Sequence, residues 1–203
     1  MTDTDFHVFA IVEGKGELVA VPDLLHRLWK ANEKLPPLRA ASKHIFKVSR
    51  DGFINNCETR QKYLNLVGYQ ARKCHGGVLI LLDTEKACCR DFLHGDKMKD
   101  IRADIDEILS GIPQFFALAE KGYESWLVAG FGGNNTEKGV SKKWLNANKD
   151  KTGRVKNYSK VVDQHELTSK MDIQQARKAN RSFNRFCERF LEWGNKADAA
   201  VSE

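Results

Sequence analysis

The feature that most constrains the fold is a short, entirely apolar segment near the middle of the chain. Residues 78–82 read Val-Leu-Ile-Leu-Leu, and two glycines, Gly76 and Gly77, precede them. An apolar run of this length is typical of a strand. Apolar side chains on both faces favour a central parallel strand that helices cover on each side. We therefore expect a parallel sheet flanked by helices.

Strand and helix patterns alternate along the rest of the first 130 residues. Residues 6–12 are β-branched and aromatic, which predicts a buried strand. Pro22 fits only the first turn of a helix, so the next helix is expected to begin near residues 19–21. The alternation is typical of an α/β fold with a mostly parallel, Rossmann-like sheet. Further strands are predicted at 45–48 and 115–119, and further helices over 58–73, 91–109 and 124–129.

The C-terminal third has a different composition. Residues 130–160 are rich in Gly, Asn, Lys and Ser, which predicts a long basic loop or insertion. Helices are expected after it, because Asp172 with Gln175 forms a capping-box pattern and Ser182 is suited to cap a last helix. A chain of 203 residues corresponds to one domain. Its expected parts are a core over 1–130, the basic segment over 131–160 and a C-terminal helical part of the same domain over 161–203.

Positive charge is concentrated in the same third of the chain. The whole chain has 33 basic and 27 acidic residues, a formal net charge of +6. Residues 138–196 alone hold 15 basic and 6 acidic residues. A local basic patch favours a polyanion such as nucleic acid as the partner. The alternative is a solvated face that only keeps the protein soluble.

Membrane insertion and secretion are not expected. The longest clean apolar run, residues 78–82, is far shorter than the ~20 residues that a membrane span needs. The first residues are acidic and carry no basic stretch of a secretory signal. The five cysteines are an odd number without a CxxC pair, which favours free thiols in a reducing compartment. We therefore expect a cytoplasmic protein with no membrane partner.

Acidic residues follow two of the predicted strands. Glu13 and Glu17 come after the first strand, and Asp83 and Glu85 end the central one. In an open parallel sheet, ligands bind beyond the carboxyl ends of the strands. If these strands are neighbours, three or four carboxylates converge there, and a hard cation such as Mg²⁺ or Mn²⁺ relieves their repulsion. The alternative is that these acids are ordinary helix caps and surface charges.

These motifs resemble those of a known group of domains. Ile11-Val12-Glu13-Gly14, followed by the segment from Leu79 to Glu85, is similar to the two signature motifs of Toprim domains. More closely, residues 12–27 resemble a bacterial Toprim-like family of unknown function. That family is related to nucleases of overcoming-lysogenization-defect type. Its members are often encoded beside AAA or ABC-type ATPases in phage-defence loci. The resemblance continues at residues 124–127, 167–172 and 182–183.

The resemblance implies roles for the acidic residues. Glu13 matches the Toprim glutamate, a metal ligand or general acid/base, and Asp83 matches the first aspartate of a D-x-D pair that binds metal. Glu85 stands where the second aspartate usually lies, so its longer side chain shifts the geometry. The three are the expected catalytic residues, and Glu17 is expected to join them as a metal ligand or to support one.

The implied function is a Mg²⁺- or Mn²⁺-dependent nuclease subunit that acts with an ATPase partner in anti-phage defence. The alternatives are a non-catalytic nucleic-acid-binding or sensor module of the same fold, and a scaffold in a defence complex. The resemblance gives no role to Glu124 and Trp126, for which packing under the sheet is the simpler interpretation. The residues expected to contact nucleic acid, DNA or RNA, are Lys138, Lys142, Lys143, Lys149, Lys151, Arg154, Lys156 and Lys170.

Overall fold

The computed structural model describes residues 5–31, 35–84, 96–134 and 140–199. At its centre lies a five-stranded sheet in which every described strand pair is parallel. The spatial order is β2-β1-β4-β5, and β3 pairs with the C-terminal half of β1. The expected α/β fold with a mostly parallel sheet is therefore confirmed. The strands are β1 (Phe6–Val12), β2 (Leu38–Arg39), β3 (Ile45–Lys47), β4 (Gly76–Thr84) and β5 (Gln114–Glu120).

Helices cover both faces of the sheet. A larger apolar cluster joins one face to helices from the N-terminal and C-terminal parts of the chain, and a smaller cluster joins the other face to helices from the middle. The described helices are α1 (Glu17–Trp29), α2 (Arg50–Asn55), α3 (Cys57–Ala71), α4 (Asp96–Ile108), α5 (Tyr123–Gly130), α6 (Val140–Ala147), α7 (Lys149–Thr152), α8 (Lys160–Lys170), α9 (Ile173–Ala179) and α10 (Arg181–Ala199).

The central strand β4 owes its position to its apolar residues. All nine of its residues are buried. Leu79 and Leu81 pack into the larger cluster, whereas Ile80 and Leu82 pack into the smaller one. Complete burial of each such side chain stabilises the fold by about 1.5–3 kcal/mol. The strand continues past its apolar run to Asp83, whose burial is therefore imposed by the sheet.

Helix α1 begins earlier than the proline suggested. It starts at Glu17, so Pro22 is its sixth residue and the Leu18 carbonyl loses a helical hydrogen bond. The start is set by Glu17, whose Oε2 accepts hydrogen bonds from the backbone N–H groups of Glu13 and Gly14, at 3.1 and 2.9 Å. The expected start at 19–21 was wrong because the hydrogen bonds from Glu13 and Gly14 to the Glu17 side chain fix the first helical turn ahead of the proline.

The two predicted caps near the C-terminus have different outcomes. The capping role of Asp172 is confirmed, since its Oδ1 accepts the Gln175 N–H at 2.9 Å. Ser182 does not cap α10; the Asn180 Oδ1 accepts the Phe183 N–H at 3.0 Å instead. The Ser182 hydroxyl is buried and accepts the Trp126 Nε1–H at 2.8 Å. The Ser182 hydroxyl therefore serves a tertiary contact, and Asn180 caps the helix in its place.

The basic segment is more ordered than a loop. Outside residues 135–139, which are not described, it contains α6 and the short α7. Leu145 is fully buried in the larger cluster, and Trp144 packs against it. The prediction of a loop was wrong because two adjacent apolar residues among many lysines give little visible periodicity. Within the described ranges, no helix combines the length and apolarity that crossing a membrane requires.

Candidate active site

The register of the sheet brings the ends of β1 and β4 together. The two strands are neighbours, with Val12 paired to Leu81. Glu13 therefore leaves β1 beside Asp83, and its Oε2 accepts the Asp83 backbone N–H at 3.2 Å. The first two predicted site residues are thus adjacent at the C-terminal edge of the sheet.

Glu17 is the third acid at this edge. Its side chain is 1% exposed, and one carboxylate oxygen is held by the N–H groups of the turn that follows β1. The other oxygen faces the interior of the site. A carboxylate this deeply buried needs a positive partner to offset its lost hydration.

Glu124 is the fourth acid, and it lies in the first turn of α5, directly after the turn that follows β5. Gly122 opens that turn with φ of +89°, a conformation that favours glycine. The turn lets the Tyr123 N–H donate to Asp83 Oδ1 at 3.0 Å, and it places Glu124 beside Asp83. Tyr158, which is buried, donates its hydroxyl to Glu124 Oε1 at 3.4 Å. The conjecture that Glu124 packs under the sheet is therefore not what the structure shows.

Lys160 lies among these carboxylates. Its Nζ is 2.8 Å from Glu17 Oε1, 3.5 Å from Asp83 Oδ2 and 3.7 Å from Glu124 Oε1. One ammonium group thus contacts acids from three separate parts of the chain. The Lys160 side chain is 33% exposed, so it also has access to solvent.

Helix α8 can place Lys160 there because Gly16 allows a close approach. A Cβ atom on Gly16 would collide with the carbonyl oxygen of Lys160 and with Oε1 of Gln164, one turn further along α8. Gln164 is completely buried at this contact. Glycine at position 16 is therefore a packing requirement of the site, as well as part of the turn.

The acids at this edge have perturbed pKa values. Burial raises the pKa of Asp83 well above its ordinary value, and the nearby charges of Glu17, Glu124 and Glu13 raise it further. Burial, with a contribution from Glu17, also raises the pKa of Glu13. Burial opposes the charge on Lys160, but Glu17, Asp83 and Glu124 outweigh it and raise the pKa of the ammonium group. Four acids therefore share this edge, and the described cations that act on them are Lys160 and, at Glu13, Arg50.

The donor chemistry suits a hard divalent cation, but the present arrangement does not hold one. Carboxylate oxygens are the ligands that Mg²⁺ and Mn²⁺ prefer. Among the described residues, no three Asp, Glu, His or Cys side chains are positioned to hold a metal ion. The Lys160 ammonium lies between the oxygens that would have to converge.

The remaining predicted residues are dispersed. Glu85 and Lys138 lie outside the described residues. Arg154 is an unsuitable phosphate contact, because its side chain is 6% exposed and it pairs with Asp163 at 3.4 Å. Lys170 is at the opposite end of α8 from Lys160, about 15 Å along the axis, where it pairs with Glu166. Lys149 is half-buried, and the exposed predicted contacts besides Lys170 are Lys142, Lys143, Lys151 and Lys156.

Sequence reasoning missed Lys160 as a site residue. Its only signal was its position as the last basic residue of the segment, where α8 begins. Trp126, the other residue without an assigned role, is completely buried among Tyr123, Phe183 and Phe186. Its role is packing, as the simpler interpretation held.

Comparison of the chain with family models, curated proteins and solved structures found no match. The function proposed below is therefore supported by the chemistry of this edge and by the sequence motifs that lead into it.

Proposed function

We propose that the protein is a metal-dependent nuclease subunit with a Toprim-like fold, which hydrolyses phosphodiester bonds at the edge formed by Glu13, Glu17, Asp83 and Glu124. The observation that carries this proposal is the convergence of four carboxylates where the parallel strands end, three of which contact Lys160 Nζ. Each added acid raises the repulsion among them, and one ammonium group offsets that repulsion only in part. A divalent cation bound at this edge would offset the remaining negative charge.

The acids surrounding Lys160 Nζ are the residues that would hold the ion. These are Glu17, Asp83 and Glu124, with Glu13 adjacent and with Glu85, one residue beyond β4, as a further predicted ligand. When bound, Mg²⁺ or Mn²⁺ would lower the pKa of a water molecule and stabilise charge on the scissile phosphate. Asp83 is held for this role by the Tyr123 N–H at Oδ1. Its other oxygen remains directed at the cation position.

Glu13 and Lys160 have complementary roles in this proposal. The raised pKa of Glu13 makes its carboxylate a stronger base than usual, which suits it to accept a proton from the attacking water. The Lys160 side chain, once displaced toward solvent, can place its ammonium against a phosphate oxygen. Neither role requires a Ser–His–Asp or Cys–His arrangement.

The exposed basic residues of the C-terminal third would hold the nucleic-acid backbone. Lys142 and Lys143 are exposed on α6, and Lys151 and Lys156 are exposed just after it. Lysine contacts to phosphates supply affinity without reading sequence. An ATPase partner and a role in anti-phage defence are parts of the proposal that the sequence motifs alone support.

One observation favours the alternative, a binding or sensor module without catalysis. Lys160 already neutralises part of the carboxylate cluster in the present arrangement. A lysine that stays there permanently would act as a structural substitute for the metal ion. The protein would then bind nucleic acid through its lysines and cleave nothing.

A cleavage assay separates the two functions. Plasmid DNA and a structured RNA are incubated with the protein in Mg²⁺ or Mn²⁺, with and without any ATPase that a neighbouring gene encodes. We expect cleavage that Glu13→Gln and Asp83→Asn each reduce by at least about 100-fold, a loss typical of removing a group that acts on the transition state. Glu107→Gln, a change at an exposed acid of α4, is the matched control and should retain full activity. Nucleic-acid binding without cleavage under all these conditions would favour the sensor module.

A further inference from the structure

The outer edge of the sheet, formed by β5, has a groove whose chemistry differs from that of the carboxylate site. β5 is the last strand in the order β2-β1-β4-β5, so one side of its backbone has no neighbouring strand among the described residues. A groove runs along that side between residues 115–118 of β5 and the first turns of α10. The helix contributes Ser182, Arg185, Phe186 and Arg189 to the groove.

The backbone of β5 offers unused hydrogen-bonding positions to this groove. Alternate residues of a strand direct their N–H and C=O groups to the same side. Pro113 and Lys121 face β4, since the Pro113 carbonyl accepts from Val78 and the Lys121 N–H donates to Thr84. The even-numbered residues of β5, among them Phe116 and Leu118, therefore face the free edge.

The protein covers one end of this edge and leaves its middle open. At the end, Ser182 Oγ accepts the Glu120 N–H at 3.2 Å, and the Ser125 hydroxyl donates to the Glu120 carbonyl at 2.8 Å. Among the described residues, the backbone groups of Phe116 and Leu118 have no such partner. Two residues with free N–H and C=O groups are a template for an additional strand.

The charges beside the groove select the kind of strand. Arg185 and Arg189 are both exposed, and neither has a carboxylate partner within the described parts of the chain. Residues four apart on a helix are separated by about 6 Å, and alternate residues of a strand by about 7 Å. Acidic side chains at alternate positions of an added strand can therefore reach both arginines. The intervening side chains would lie on the opposite face, beside Phe116 and Leu118, which are half-buried and apolar.

We propose that this edge binds an extended segment of a partner protein, with acidic residues alternating with apolar ones, as an added strand beside β5. The proposal does not depend on the nuclease function. A second copy of the chain is a poorer occupant for a specific reason. Antiparallel pairing of two β5 strands about a two-fold axis keeps both α10 helices on one face of the joined sheet. The arginines of the two copies would then lie close together, and like charges repel.

The test uses two labelled hexapeptides of opposite charge, one of alternating Glu and Val and one of alternating Lys and Val. Fluorescence anisotropy on the whole protein should show that the acidic peptide binds at least tenfold more tightly. Arg185→Glu together with Arg189→Glu should reverse that preference. Lys178→Glu together with Lys196→Glu, the same charge change at exposed positions away from the groove, should leave it intact.

Backbone involvement is measured separately. Hydrogen exchange at the Phe116 and Leu118 amides should be fast in the free protein and slow with the acidic peptide bound. Leu118→Pro removes one edge N–H at a position that tolerates proline, and it should weaken binding. Equal affinity for both peptides, no binding at about 1 mM peptide, or amides that stay unprotected would each overturn the proposal. So would a dimer in sedimentation that Leu118→Pro abolishes, since it would assign the edge to a second copy.

Discussion

Replacing Lys160 by methionine tests the electrostatic description of the site. Methionine keeps the length of the side chain and removes its charge. Glu17, at 1% exposure, and Asp83, at 9%, would then lose the ammonium group that lies 2.8 and 3.5 Å from their oxygens. Each contact at this range is worth about 4–6 kcal/mol of Coulomb attraction at an effective dielectric constant of ~20, before desolvation is subtracted. The buried carboxylates would be left without a described counter-ion.

The net loss of stability should be smaller than the Coulomb attraction. Removing one partner from a buried ion pair costs about 3–5 kcal/mol. Because a third of the Lys160 side chain is exposed, solvent screening reduces this, and we expect about 2–3 kcal/mol. For a chain of this size the melting temperature should fall by about 5–10 °C.

The sign of the pH dependence follows from the carboxylates. Asp83 has a pKa raised above its unfolded value, and removing Lys160 raises it further. Such a group stabilises the fold below its unfolded pKa, and that contribution is lost as the pH rises through the folded pKa. The destabilisation of Lys160→Met should therefore be larger at pH 8 than at pH 5.

Thermal melting in EDTA and in excess Mg²⁺ measures both effects. Lys160→Met should melt lower than the parent in EDTA and should regain more stability from Mg²⁺, because no ammonium group competes with the ion. Lys170→Met, which breaks an exposed pair with Glu166 on the same helix, is the matched control and should leave the melting temperature nearly unchanged, because solvent screens such a pair. A Lys160→Met protein as stable as the parent in EDTA at pH 8 would refute the reasoning.

Three further predictions concern other parts of the chain. Replacing Lys142, Lys143, Lys149 and Lys151 of the basic segment by Gln should weaken nucleic-acid binding for all sequences. It should also lower the salt slope by up to ~0.9 per lost phosphate contact on duplex DNA. An unchanged slope in salt titrations would exclude this surface as the nucleic-acid-binding site. Gly16→Ala should cost about 1–3 kcal/mol in chemical denaturation, because the new methyl group collides with α8; a neutral result would contradict the close approach. Alkylation without reduction should modify the exposed Cys57 rapidly and Cys187 only on unfolding, because burial raises the pKa of the Cys187 thiol to about 12. Denatured samples should reveal five modified cysteines. A protected pair would contradict the expectation of free thiols.

The fold was largely predictable because its strongest pattern lies at its centre. The apolar run of β4 predicts burial on both faces, and the structure buries all nine of its residues. The pairing of β1 with β4 follows from the same reasoning, and it brings Glu13 beside Asp83. These features depend on local composition and on the general geometry of parallel sheets.

The rest of the site depends on contacts between distant segments. Glu124 reaches Asp83 through the turn at Gly122, and Lys160 reaches it because α8 packs closely against Gly16. No periodicity in the sequence reports either contact. Charge counting also cannot separate a buried guanidinium from an exposed one. It therefore grouped Arg154, which is paired with Asp163, with the exposed lysines.

The most direct measurement of the central hypothesis is a calorimetric titration of the protein with Mn²⁺. The carboxylate edge should bind the ion, and Asp83→Asn should remove most of that affinity. The variant should stay folded. It should gain stability at neutral pH, because burial raises the pKa of Asp83 in the parent protein and an ionised Asp83 therefore disfavours the native state. Asp51→Asn, at a side chain that is 80% exposed, should bind Mn²⁺ as the parent does. Mn²⁺ binding that is absent in the parent, or unchanged in folded Asp83→Asn, would contradict the proposal that this edge is a metal-dependent active site.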